Sequence, residues 1–409
     1  MGILRGRKTK QIFSLYLSLA FTLLLGIGVS VINTRFLGPE QYGDLKFLQN
    51  IFGFSVMFFT LGFFVSGARL IAQKENEKIK HEIIGILFSV ATCISAALSI
   101  GYFVFSFFEE QIFNNELGII IRIFCPLLFV YPFVICLQNI MQGDSRIYEL
   151  SVFRLAPKLL YIIVAIVFNF IIPLKLVSAL SIQFLTLGLP IMVMIFLLKP
   201  EFKNLKENSL RLWKENKYYG FQVYIGSLAS VASSYLGAIS LGYFGNNIDV
   251  GFFSLAVTIT MPLTMIPGVV GTTFFKDFTS MDSLPKKATM VTMVFSLFAL
   301  LSYCLVIEKI ILVLYSDEYY DVVSLSYIIS AGCIFHGFGD YINRFLGAHG
   351  MGTALRNAAI TVGLSNVSGY ILLVYAFGVV GAAVTKLAAG IVYCIMMYFY
   401  YNVYIPKNE

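Results

Sequence analysis

Apolar residues in this chain come in long unbroken runs, not at the spacing of a one-sided surface helix. Twelve runs stand out, at about 11–36, 44–71, 82–108, 117–142, 151–172, 175–198, 217–243, 250–275, 287–307, 322–346, 356–376 and 379–403. Each is near or above the ~20 residues that carry a helix across a ~30 Å hydrocarbon core. Backbone groups in hydrocarbon must bond within their own segment, so runs of this length predict helices. A barrel would show short strands of alternating polarity. The pattern therefore predicts an all-α integral membrane protein of about twelve transmembrane helices, with little chain left over for a soluble domain. Composition agrees: 58% of the 409 residues are hydrophobic and 12% charged, where soluble domains carry about a quarter charged.

Charge in the gaps sets an orientation. One set of gaps carries Arg5, Arg7, Lys8 and Lys10, then Lys74, Lys78 and Lys80, Arg146, a lysine-rich stretch from Lys199 to Lys217, Lys276, Lys286 and Lys287, and finally Arg356 and Lys407. The alternate gaps carry Glu40, then Glu109, Glu110 and Glu116, Asp249, and Glu308, Asp317, Glu318 and Asp321, with Lys175 and Lys309 against them. Basic loops stay on the cytoplasmic side, so both termini are expected there. The same bias accounts for the net charge of +7, and no nucleic-acid partner is needed to explain it. The basic start resembles a signal-peptide n-region, but the run behind it is too long and has no small-residue cleavage site before Arg35, which predicts a retained first helix.

The link Arg35-Phe36-Leu37-Gly38-Pro39-Glu40-Gln41-Tyr42-Gly43 between the first two runs returns in worn form as Gly242-Tyr243-Phe244-Gly245-Asn246-Asn247-Ile248-Asp249-Val250-Gly251. One inserted residue aligns Gly38 with Gly245 and Gly43 with Gly251. A second echo pairs the short link Phe168–Lys175 with Phe377-Gly378-Val379-Val380-Gly381-Ala382-Ala383. Two echoes in register predict a duplicated six-helix unit. Six is even, so the halves enter the membrane in the same direction, and a site is expected between such repeats. The expected organisation is a lobe over 1–198, a polar linker over 199–217 and a second lobe over 218–409. Within the linker, Phe202, Leu205, Leu212 and Trp213 share a helical face, which predicts a short amphipathic helix at the inner-leaflet surface. The six cysteines lie singly inside apolar runs and read as small packing residues.

Three of these elements together resemble a known family: the Arg35–Gly43 link, Gly62 with Gly67-Ala68-Arg69 after it, and Gly378–Ala383. They are similar to the Wzx-type exporters of O-antigen and capsule repeat units, the polysaccharide branch of the MATE-like MOP superfamily. The resemblance runs over essentially the whole chain, and its Leu-Gly-Pro-Glu-x-Tyr-Gly element is moderately specific. It implies a flippase in the bacterial cytoplasmic (inner) membrane. Its substrate would be an undecaprenyl-diphosphate-linked glycan, moved from the inner to the outer leaflet, with polysaccharide polymerase machinery as a possible partner beside the membrane lipids.

Ionisable groups within spans cost ~2.5–3.5 kcal/mol each on insertion scales, so they are the first candidates for function. A lipid diphosphate calls for cations. The substrate-binding candidates are Arg35, Arg69, Arg154, Lys158, Lys386, Arg122 and Lys46. Arg35, Asp44 and Lys46 meet Gly242, Phe252 and Ser254 in the aligned copy, which argues against a purely architectural role for these charges. The alternative is that they snorkel to the outer interface. Arg154 and Lys158 share a face ahead of Tyr161, and either receive the diphosphate at entry or reinforce the positive-inside bias. Lys386 and Arg122 lie ~8–11 Å from the outer end of their spans by helical rise, and either hold the diphosphate or snorkel. His336, Asp340 and Arg344 recur every four residues along one face. With Asp44 they are the candidates for coupling to H+ or Na+: Asp340 is expected to pair with Arg344 while His336 titrates. The bland reading is a self-satisfied ion pair beside a core histidine.

No Gly-x4-Gly-Lys-Ser/Thr cradle, no metal spacing among the three histidines and no Gly-x-Ser-x-Gly elbow occurs. No cofactor, metal or enzymatic role is therefore expected, and an ion gradient or product consumption would drive transport. A MATE-like efflux pump is the second reading, although such a pump would favour acidic groups in its cavity. A membrane polysaccharide polymerase is third, and the short external gaps count against it.

Overall fold

In a computed structural model, residues 2–73 and 76–404 are described, with side chains from residue 21 onward except at 229, 230, 232, 233 and 404. The orientation markers Arg5, Arg7, Lys8 and Lys10 (as side chains), Lys74 and Lys407 lie outside this description. The described residues are almost wholly helical: α1 (Gly2–Phe59), α2 (Phe63–Ala72), α3 (Glu77–Phe105), α4 (Glu109–Phe113), α5 (Gly118–Phe124), α6 (Val130–Gly143), α7 (Ile147–Ile171), α8 (Leu176–Leu198), α9 (Leu205–Glu215), α10 (Phe221–Phe244), α11 (Asn247–Phe278), α12 (Lys286–Ile310), α13 (Asp321–Ala348) and α14 (Gly352–Tyr404).

Nine helical stretches among the described residues are long and apolar enough to cross a membrane. Two of them each hold a pair of expected spans. α1 is broken at Gly38 (φ 72°, ψ 175°), and α14 at Gly378 (φ 56°, ψ −135°). A side chain at positive φ is strained, so glycine is what lets each chain turn back within one residue. Pro39 follows Gly38 directly, where its missing N–H and fixed φ suit the first position of a new helix. With α2 continuing the second half of α1, and with α10, all twelve expected spans have a helical counterpart.

The chain falls into two compact units. One is Met1–Leu37 with Leu48–Ser227; the other is Gly38–Phe47 with Leu228–Glu409. The linker and the start of α10 thus belong to the first unit, because they are bonded to it. Asn216 Nδ2 donates to the Leu61 carbonyl at 3.1 Å, Ser66 Oγ donates to Asn216 Oδ1 at 3.0 Å, and Tyr224 donates to the Phe58 carbonyl at 2.9 Å. The expected amphipathic helix is shorter and docks differently. Its first residue is Leu205, so Phe202 lies before it in non-helical chain. Its inward residues are Asn208 and Leu212, and Asn208 donates to the buried Glu82 at 3.0 Å. A carboxylate at the end of α3 thus draws the helix onto the protein by a polar contact that apolar periodicity cannot reveal. Trp213 remains exposed, 6.0 Å from the Phe63 ring.

The first unit is centred on Phe52, Phe64, Leu87, Phe88 and Leu137, all 3% exposed or less. Tyr102 stands edge-on to Phe52 at 5.0 Å and donates to the Ile51 carbonyl at 2.6 Å. The second unit has a core cluster of Phe278, Tyr341, Phe345, Leu346 and Met397, and takes Tyr42 in beside Tyr319 at 6.0 Å.

Candidate functional sites

The repeated link is the first place where sequence-marked residues meet. In the second unit, the Gly38–Phe47 segment packs on its own worn copy. A Cβ on Gly43 would fall deep inside the Asn247 carbonyl, and one on Gly251 would stand 3.0 Å from Gly43 Cα. Only the absence of side chains permits this approach. Asp44 accepts a hydrogen bond from Asn247 Nδ2 at 2.7 Å, and Lys46 lies over the Tyr42 ring at 5.4 Å. Asp44 thus has an architectural part, since its partner is the turn of the second copy. The two copies build their turns differently. Gly38 breaks the first with positive φ, while Asn246 caps the second, accepting from Asp249 N at 2.9 Å.

Arg69 Nη1 donates to Glu215 at 2.7 Å and its guanidinium lies 4.5 Å from the Tyr219 ring centre, which ties it to the linker region. Arg122 donates to Ser106 Oγ at 3.3 Å and stacks over Phe107 at 3.9 Å, an arrangement that suits an interfacial anchor. Arg35 is exposed and Arg154 partly exposed.

Lys158 sits in a polar centre of the first unit. Its Nζ donates to the Thr22 carbonyl of α1 at 2.8 Å. One turn on, Tyr161 donates to the buried Asn33 at 2.5 Å. Across from them, Gln49 Nε2 donates to Gln183 Oε1 at 2.7 Å, and Gln183 donates to Tyr131 at 3.3 Å. Asn33, Gln49, Lys158, Tyr161, Gln183 and Thr186 line a cavity of about 170 Å³, together with the apolar Val29, Pro157 and Leu187. Four helical stretches contribute, from the two halves of α1, α7 and α8. Sequence reading singled out Lys158 but missed the amides. The available signal was that a glutamine or asparagine within a span is also costly unless it is paired.

The second unit holds the other polar centre. α13 and α14 approach closely where Gly390 faces the Gly332 carbonyl. Below this crossing, Tyr393 donates to Asp340 Oδ1 at 3.0 Å, and its ring lies 4.6 Å from that of His336. The expected Asp340–Arg344 ion pair is corrected. Among the described residues Asp340 is bonded across to Tyr393, and Arg344 is exposed. Spacing of four along one helix allows a pair, but a partner on the neighbouring helix has taken the carboxylate. Lys386 is half-buried on α14. No group of three or more potential metal ligands occurs among the described residues.

A helical bundle with polar centres inside long apolar helices is the architecture of a multi-pass membrane protein. The chain belongs to the polysaccharide biosynthesis protein family, whose model matches residues 9–275. Among solved structures it is similar to the lipid II flippase MurJ in its inward closed conformation, at 17% identity over 94% of this chain and 87% of that one, with a TM-score of 0.75. It is also similar to the inward-facing conformation of a multidrug resistance MATE family transporter, at 14% identity over 94% of both chains and TM-score 0.72. A third similar structure is a MOP superfamily transporter from Pyrococcus furiosus described as having a binding pocket of reverse polarity, at 12% identity over 96% and 94% and TM-score 0.59. No curated protein matches the chain.

Proposed function

We propose that this protein flips an undecaprenyl-diphosphate-linked oligosaccharide, an O-antigen or capsule repeat unit, from the inner to the outer leaflet of the bacterial cytoplasmic membrane by alternating access, with both termini in the cytoplasm. The observation that carries this reading is family membership across residues 9–275 in a chain that is membrane-spanning throughout. The cationic balance of the intramembrane groups supports it. Arg35 and Arg154 in the first unit and Lys386 in the second supply positive charge suited to a diphosphate. Arg154 lies about one helical turn before Lys158 on α7. Asp340, His336 and Tyr393 bring an acid together with a titratable ring, and we assign coupling to H+ or Na+ there.

Similarity to MATE transporters keeps an ion-coupled efflux pump as the second reading. Deletion of the gene separates the two. Accumulation of lipid-linked repeat units on the cytoplasmic face, relieved by the wild-type gene, is expected. Normal surface polysaccharide with altered drug sensitivity would instead favour efflux.

A further inference from the structure

The cavity of the first unit differs in chemistry from a phosphate site. Its polar lining is one ammonium, Lys158, against the neutral groups Asn33, Gln49, Tyr161, Gln183 and Thr186. Phosphate oxygens only accept hydrogen bonds, whereas amides and hydroxyls present donors and acceptors together. A ring of hydroxyls matches such a lining on both counts. The amides are also fixed in advance: Gln183 is held between Gln49 and Tyr131, and Asn33 by Tyr161. Fixed polar partners lower the ordering cost of binding.

Size points the same way. At about 170 Å³ the cavity is below the ~300 Å³ at which pockets for drug-sized ligands begin. A space of that size is on the scale of a single sugar ring. Charge adds a second constraint. Lys158 is partly buried and donates to a neutral carbonyl, that of Thr22. A carbonyl orients an ammonium without neutralising it, and a buried cation favours a ligand that brings a negative charge.

We propose that this cavity is a monosaccharide subsite that takes a single sugar ring bearing a carboxylate, with the carboxylate at Lys158 and the ring hydroxyls on Asn33, Gln49 and Gln183. The proposal rests on the flippase reading and sharpens its substrate class to glycans containing an acidic sugar.

The test uses the full-length protein in lipid nanodiscs with glucuronate, glucose and inorganic pyrophosphate as probes, read by saturation-transfer NMR. Glucuronate is expected to bind. Lys158→Gln should weaken glucuronate by about ten-fold or more, the loss of one charged hydrogen bond, and leave glucose unchanged. Gln49→Leu and Gln183→Leu should weaken both sugars, with thermal midpoints showing each variant folded. Pyrophosphate displacing glucuronate in a Lys158-dependent way would overturn the proposal in favour of a phosphate site. Silence from both sugars with the folded wild-type protein would also overturn it. Complementation separates the two readings. If Gln49→Leu and Gln183→Leu restore polysaccharide export as well as wild type does, the subsite fails and the flippase stands. If the wild-type gene itself leaves export and lipid-linked intermediates unchanged, the flippase reading fails.

Discussion

Tyr393 on α14 donates its hydroxyl proton to Asp340 on α13 at 3.0 Å, beside the His336 ring. This bond, and no neighbour on Asp340's own helix, holds the acid. Tyr393→Phe removes the donor and leaves a partly buried carboxylate short of a partner, a loss of about 1–3 kcal/mol. Asp340→Asn keeps an acceptor in place and should fold normally. The expected result is a lowered thermal midpoint for Tyr393→Phe, and for Asp340→Asn a changed pH or sodium dependence of transport in proteoliposomes. Unchanged ion dependence in Asp340→Asn would reduce the grouping to a packing device.

Gly43→Ala should be far more damaging than Gly38→Ala, although both residues belong to one link. A Cβ at Gly43 runs into the Asn247 backbone, and overpacking against an unyielding main chain costs about 1–3 kcal/mol or more. At Gly38 the space is open but φ is +72°, so alanine there meets conformational strain of ~1–2 kcal/mol. The amount of folded protein recovered from membranes, and its unfolding midpoint, rank the two.

Arg69 and Glu215 should behave as a pair. Arg69 is about a third exposed on its side chain and Glu215 less so, so screening keeps the ion pair near ~0–1 kcal/mol. The Tyr219 ring adds ~0.5–1 kcal/mol. Arg69→Ala and Glu215→Ala should each lower the midpoint modestly, and the double variant should fall short of their sum. Arg35→Ala, in contrast, should reduce export with little change in stability. Full export by Arg35→Ala would remove it from the substrate path.

Acid should weaken the corner where α6 ends. Burial raises the Asp144 pKa, but hydrogen bonds from Arg146 at 2.7 Å and Lys80 at 2.9 Å outweigh it and hold the carboxyl below its usual value of 3.8. A lowered folded-state pKa means that the stabilisation is full above the unfolded value and is lost as pH falls through the folded one. Asp144→Asn should therefore cost roughly 1–2 kcal/mol near neutral pH. The difference from wild type should shrink below about pH 4. A gap that stays constant with pH would assign the loss to packing.

The spans were legible because hydrocarbon imposes one requirement, backbone bonds made within each segment, and run length records it directly. The repeat was legible too, since Gly38 answers to a positive φ and Gly43 to close approach, and both leave a pattern. Partnerships were not. Asp44 with Asn247, Arg69 with Glu215 and Asp340 with Tyr393 each join residues far apart in sequence, and charge in one span says nothing about which distant side chain meets it. The cavity amides Gln49 and Gln183 were harder still, because an uncharged residue inside an apolar run stands out little by composition. Lys158 was found because charge in a span is conspicuous. Its neutral company was found only through the fold.

Gly38–Phe47 packs with Leu228–Glu409, while the chain on either side of it packs elsewhere. A fragment ending near Ser227 would therefore carry Tyr42, Leu45 and Phe47, all fully buried in the intact protein, with their partners left on the other fragment. The complementary fragment would lack the peptide that closes over Asn247 and Tyr319. The duplicated halves are thus stitched by ten borrowed residues, and splitting the gene at its polar middle should give two pieces that mature only when made together.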